Sequence, residues 1–262
     1  MFHIVLKIKK IIYVVLRWFF SVIPVELVKR IIIIIPRLSV SAPPGISFLL
    51  SNYLGEFNID VDTIYTVEKR MLTGIYEKGT SKIIEKFVNE GDVCFDIGAN
   101  VGPITLELAQ KVKPKGKVYA FEPGPPIFER LVRNITLNPP YTSAIISENL
   151  GVSEQNGKLF WSEGTEEFDQ RGNGSLRVGP DYRNIKVDVV SLDSYCQSKG
   201  IKDIDFIKIV TAGNIKLILN TSNIVAKTKS IKNIIESLLF CLVKIEYILD
   251  IKFILILACF TN

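Results

Sequence analysis

Apolar and polar positions fall into three textures along this chain. In the first 40 residues the apolar side chains are interrupted by bases every few positions, and the longest uncharged run is eight residues, Trp18 to Val25. Projected on a helix, His3, Lys7, Lys10, Arg17 and Ser21 share one face, while Ile4, Val5, Ile8, Ile11, Ile12, Val15, Leu16, Phe19 and Phe20 fill much of the remainder. The pattern predicts an amphipathic helix, since eight residues fall well short of the roughly 20 that cross a bilayer. Two roles fit it: a helix lying in a membrane surface, attracted to anionic lipid, or a helix packed on a domain. Residues 1–40 therefore stand as a basic helical segment. Residues 41–79 form a linker and cap region entered through Pro36, Pro43 and Pro44.

From 80 to 213 apolar runs alternate with regular punctuation. Thr80 or Ser81 caps a helix with Ile83, Ile84, Phe87 and Val88 on its apolar face, and Gly91 stops it. Asp92 to Ile97 is a buried strand. Pro103 opens a helix through Leu106, Leu108 and Val112, ended by Gly116. Lys117 to Phe121 is the second strand, and Pro125 or Pro126 starts a helix carrying Phe128, Leu131, Val132 and Ile135. Ser143 to Ser147 is the third strand. A β-rich insertion follows over 157–190, with Leu159-Phe160-Trp161, the polar loop Gly172-Asn173-Gly174-Ser175 and the alternating Ile185 to Val190. Leu192 to Ser198 is a short helix and Ile204 to Ile209 another buried strand. This alternation predicts an α/β fold, a doubly wound and mainly parallel sheet with ligand at the carboxyl ends of its strands.

The third texture, 214–262, has no Gly and no Pro, and 30 of its 49 residues are Ile, Leu, Lys or Asn. The turns that would finish a doubly wound sheet are not visible there, so the sheet is expected to be incomplete in its C-terminal half.

Charge changes the picture only when divided along the chain. The net +5 resolves into +6 over residues 1–40, −4 over 41–213 and +3 over 214–262. The middle is mildly acidic and has no basic block with interleaved aromatics, which argues against a nucleic-acid partner. Cys94, Cys196, Cys241 and Cys259 lie far apart with no C-x-x-C pair, the pattern of buried thiols in a reducing compartment rather than of a disulfide framework or zinc site. The sole histidine is His3, so composition excludes a histidine dyad or a histidine-ligated metal within the core. A cytoplasmic protein, peripheral at a membrane if the first helix lies on one, is the expectation.

The candidate chemistry sits where two strands end. Phe95-Asp96-Ile97 runs into Gly98-Ala99-Asn100-Val101-Gly102, and Phe121-Glu122-Pro123 closes the next strand 20 residues beyond Gly102. Glycines let the backbone approach a ligand closely, and a carboxylate at the second strand end can receive two ribose hydroxyls. The spacing is G-x-N-x-G rather than the G-x-G-x-x-G of a dinucleotide site, which favours S-adenosylmethionine over NAD. Asp96 would act through loop amides or a water near the methionine end. Asn100 suits a left-handed turn, and the helix opened by Pro103 presents its amino end to a carboxylate. A lone G-x-N-x-G is also an ordinary strand-to-helix turn; Glu122 is what separates the two. Trp161 is expected to be core packing, and Asn149 either meets the adenine or forms a turn.

Residues 74–213 resemble the FkbM family of S-adenosylmethionine-dependent methyltransferases. The resemblance is carried by Gly74-Ile75-Tyr76-Glu77, by Gly91 through Gly102, by Val118-Tyr119-Ala120-Phe121-Glu122-Pro123, by Gly174-Ser175-Leu176, by Val189-Val190-Ser191-Leu192-Asp193 and by Asp205-Phe206-Ile207-Lys208-Ile209. It implies a class I methyltransferase (Rossmann-like) fold and methylation of a hydroxyl on a sugar or natural product, a small-molecule or glycan acceptor. It carries Asp96, Gly98, Asn100, Gly102 and Glu122, with Ala99 and Val101 between them, over as cofactor contacts. Family members follow the last strand with acids where this chain has Val210, Ala212 and Ile215. With no core histidine, the general base falls to a carboxylate such as Glu77 or Asp169, or the domain is a remnant or binding protein without turnover.

Overall fold

The computed structural model describes residues 15–16, 18–19, 22–34, 45–72, 76–164, 182–210 and 254–258. Most of the first helix and the 36–44 linker, the polar loop at 172–175, Asp169, and all of the tail except 254–258 lie outside these residues. The chain divides into two units: residues 1–78 with 163–173, and 79–162 with 174–262.

In the first unit, α1 (Val25–Ile34) buries Val28 and Ile32. An antiparallel hairpin follows, β1 (Ser47–Tyr53) and β2 (Phe57–Asp62), then α2 (Thr66–Leu72). Phe57, Ile59 and Val61 alternate along β2 and are buried with Tyr53 and Met71. The Glu68 carboxylate accepts from the Asp62 amide and Thr63 Oγ1 accepts from the Ile46 amide at 2.9 Å, both fastening the open end of the hairpin. The sequence pattern left this region without assigned elements.

The second unit is the α/β core. Its elements are α3 (Lys78–Phe87), β3 (Val93–Ile97), α4 (Pro103–Val112), β4 (Lys117–Phe121), α5 (Pro125–Thr136), a 3-10 helix (Pro139–Ala144) and β5 (Ile145–Glu148). After these come β6 (Gly151–Val152), β7 (Gly157–Gly164), β8 (Tyr182–Val190), α6 (Leu192–Lys199), β9 (Phe206–Val210) and β10 (Ile254–Ala258). The expected elements are present with shifted bounds, among them β9, which starts at Phe206 and not at Ile204, and β3, which starts at Val93. Thr80 is buried within α3, which starts two residues before the expected cap, and the 3-10 helix takes Ser143 and Ala144 from the third strand.

The main sheet has the order β10-β9-β3-β4-β5. β9, β3, β4 and β5 are mutually parallel; β10 pairs antiparallel at the β9 edge, Ile254 opposite Val210. This is an α/β fold with a mainly parallel sheet, as the alternation of elements along the sequence implies. The strands are short apolar runs because both faces are covered. Phe95, Ile97, Phe121, Ile207 and Ile209 pack with Leu192, Tyr195 and Cys196 of α6. On the opposite face Cys94, Val118 and Phe206 pack with Ile84 of α3 and Ile104, Leu108 and Val112 of α4. Ala120 meets Leu131 and Ile135 of α5. A second sheet, β6-β8-β7, builds out the insertion.

Strand order positions the site. From β3 the chain steps outward to β4 and β5, then returns to place β9 on the other side of β3. The strand order therefore reverses between β3 and β9, the position at which open α/β sheets place a ligand, at the carboxyl ends of the strands.

Candidate functional site

The loop leaving β3 turns on left-handed residues: Gly98 at φ 75°, Asn100 at φ 53° and Gly102 at φ 94°. Asparagine tolerates this conformation because its short side chain can bond its own backbone, and here Asn100 Oδ1 accepts from the Val101 amide at 2.9 Å. Gly102 is required twice over, by its φ and because a Cβ there would stand 2.6 Å from Leu131 Cδ1. The amides of Gly98 and Ala99 both donate to the Phe121 carbonyl, and Asn134 Nδ2 donates to the Val101 carbonyl at 2.8 Å. The loop is thus clamped between the ends of β3 and β4 before any ligand arrives. Ala99 and Val101 have buried side chains, so only their backbone can face a ligand.

Glu122 follows β4 at once and is 6% exposed. Its Oε2 accepts from the Asn100 amide at 3.0 Å and its Oε1 from the Gly124 amide at 2.9 Å. The two acids and the glycine loop of the sequence pattern are therefore brought together. Burial pushes the Glu122 carboxyl up to about 7; the two amides and the Lys208 charge oppose the rise, and Asp96 adds to it. A carboxylate with one lone-pair set on backbone amides still has acceptor capacity for two hydroxyls.

Asp96 is fully buried, and its partners differ from the loop amides or water expected of it. Oδ1 accepts from Lys208 Nζ and Oδ2 from Thr105 Oγ1, each at 2.7 Å. Lys208 Nζ also donates to the Gly98 carbonyl at 3.0 Å. The pattern of residues did not single out Lys208 or Thr105. A signal existed for the lysine: it is a charge within the apolar run Phe206–Val210, and such a charge needs a buried partner.

The turn after Glu122 is held from two further sides. Asn149 Nδ2 donates to the carbonyls of Glu122 at 2.8 Å and Pro123 at 3.2 Å, which gives this residue the turn role of its two candidates. Trp161 of β7 is 1% exposed, as expected of core packing, and covers Gly124 so closely that a Cβ there would stand 2.4 Å from the indole ring. Beyond the site, Tyr195 OH donates to Glu148 Oε1 at 2.8 Å and Lys199 pairs with the same oxygen at 3.1 Å, tying α6 to β5.

Of the candidate bases, Glu77 belongs to the first unit, where its Oε2 is buried with no hydrogen-bond partner among the described residues. Val210 ends β9, at the first of the positions where the resemblance led to the expectation of an acid.

Residues 96–210 match the Methyltransferase FkbM domain. The chain is 25% identical over 204 residues to the hexuronic acid methyltransferase AglP of Haloferax volcanii, covering 78% of this chain and 75% of that protein. It is 27% identical over 146 residues to the methyltransferase sdnD of Sordaria araneosa, covering 45% and 55%. A solved S-adenosylmethionine-dependent O-methyltransferase of Thermotoga maritima aligns at 18% identity and a TM-score of 0.33, covering 69% of this chain and 62% of that one.

Proposed function

We propose, from the match of residues 96–210 to the Methyltransferase FkbM domain, that this protein transfers a methyl group from S-adenosylmethionine to a hydroxyl of a sugar or natural-product acceptor. One observation carries the cofactor half: Glu122, at the carboxyl end of β4, is locked by Asn100 and Gly124 amides beside a pre-formed glycine loop. That is a ribose acceptor built before the ligand binds. The amino end of α4 fits the remainder of the cofactor. The acceptor half is supported by likeness to the hexuronic acid enzyme.

Bound there, the cofactor supplies an electrophilic methyl on a sulfonium. Glu122 would hold the ribose, and Asp96, Gly98, Ala99, Asn100, Val101 and Gly102 would shape the loop against it. The acceptor hydroxyl would have to be held against that methyl, and positioning by the protein would supply much of the rate. Its proton leaves to a base or to water. A second reading, cofactor binding without turnover, is favoured by Val210 at the end of β9, where a carboxylate would otherwise serve as that base.

Residues 1–35 are read as a membrane-surface contact. Their basic balance and the exposure of Val15, Trp18, Val22 and Leu27 support this, and no helix among the described residues is long and apolar enough to cross a membrane.

Calorimetric titration of S-adenosylmethionine, with Glu122→Ala as control, tests the cofactor site. Binding lost in the variant is the expected result, and a folded wild type that binds nothing refutes it. Turnover on a hexuronic acid glycoside panel then separates enzyme from binding domain.

A further inference from the structure

Lys208 lies in the middle of β9, is 1% exposed, and stands in register beside Asp96 of β3. Taking an ammonium out of water costs several kcal/mol, and an apolar residue of similar volume often serves packing as well or better. The face it occupies is lined by apolar neighbours, Cys94, Val118 and Phe206. Packing alone gives no reason for a lysine.

Its contacts do. Two of its three donors reach Asp96 Oδ1 and the Gly98 carbonyl. The Gly98 amide in turn donates to the carbonyl of Phe121, the residue before Glu122. One ammonium is thereby linked to the loop after β3 and, through it, to the end of β4.

We propose that Lys208 is a positioning residue of the nucleoside site: it compensates the buried Asp96, fixes the Gly98 peptide, and thereby lets Glu122 meet the ribose as an anion. The inference rests on the cofactor reading above. The charged groups acting on Glu122 are Lys208 of β9 and Asp96 of β3, and the Lys208 effect is the larger. The Glu148 carboxylate of neighbouring β5 is turned to Tyr195 and Lys199. Without the lysine, two buried carboxylates would share a site with no internal cation between them, and one would keep its proton.

The test uses Lys208→Met and the pair Asp96→Asn with Lys208→Met in the full chain. Carbon-13 NMR of side-chain carboxyls without ligand follows Glu122, its signal assigned by loss in Glu122→Gln. The wild-type midpoint is expected at about 7. In Lys208→Met it should rise by about one pH unit. In the double variant it should lie between the two, because removing Asp96 offsets part of the loss; this variant keeps the test decisive if Lys208→Met fails to fold. Calorimetry should show the same displacement, with S-adenosylmethionine bound about tenfold more weakly by Lys208→Met than by wild type at pH 6. A Glu122 midpoint unchanged in both variants overturns the inference. A displaced midpoint in a protein that binds no S-adenosylmethionine at any pH refutes the cofactor reading, and the positioning role with it.

Discussion

Replacing Glu122 with glutamine should reverse the order of stability between variant and wild type as pH rises. Folded, the carboxyl keeps its proton to about 7; unfolded, it releases it near 4.5. Between those values the native state binds more protons than the unfolded one, so raising pH favours unfolding. The interval corresponds to about 3 kcal/mol, lost by the wild type between pH 4.5 and 7 and constant above. Glutamine does not titrate and escapes this loss. It has its own cost, because both carboxylate oxygens accept from backbone amides and the new NH2 must face one of those donors. That mismatch is worth about 1 kcal/mol at every pH. At pH 4.5 the variant should be the less stable by about 1 kcal/mol, and at pH 8 the more stable by roughly 2 kcal/mol. Urea unfolding at five pH values from 4.5 to 8.5, without ligand, reads the difference directly, and contributions common to both proteins cancel. Two stability profiles that stay parallel over this range would refute the reasoning, since they would mean that burial leaves Glu122 an ordinary surface-like acid.

Three further substitutions probe the same corner. Thr105→Val removes the donor to Asp96 Oδ2 while keeping shape, and should cost about 2 kcal/mol in urea unfolding, with Thr105→Ser recovering most of it. Gly124→Ala drives a methyl into the Trp161 ring and should cost about 1 to 3 kcal/mol; combined with Trp161→Phe the two effects should fall short of additive by more than about 0.5 kcal/mol. Asn149→Ala frees the Glu122 and Pro123 carbonyls and should weaken S-adenosylmethionine binding about fivefold in calorimetry, about 1 kcal/mol, with a smaller change in unfolding midpoint.

What could be read from residues alone follows the range of the interactions. Where neighbours in sequence set the conformation, the pattern sufficed. Pro103 and Pro125 open their helices at the expected residues, and Lys117–Phe121 is a strand with the expected bounds. The left-handed Asn100 and the facing of the glycine loop by Glu122 were legible for the same reason, because strand ends and turn chemistry are local. The hairpin at 47–62 is hard to read because Leu54, at positive φ before Gly55, stands where a hairpin turn usually has Asn or Asp, and the register shifts between Leu50 and Tyr53.

The partners of Asp96 were hidden for a different reason. Lys208 is 112 residues away in sequence and reaches Asp96 only because β9 lies in parallel register beside β3. Placing β9 there requires knowing that the chain reverses direction across the sheet, which no window of residues reveals. Trp161 over Gly124 depends in the same way on where β7 lands. The tail gave no local signal, having neither Gly nor Pro, and its one described strand takes its place from pairing with β9. In an α/β sheet the ligand crevice forms where strand order reverses. The groups that tune a site there must therefore come from strands far apart in sequence, and sequence pattern will find its loops before its counter-ions. Glu122 and the glycine loop are legible first because they are loop chemistry; Lys208 is legible last because it is sheet chemistry.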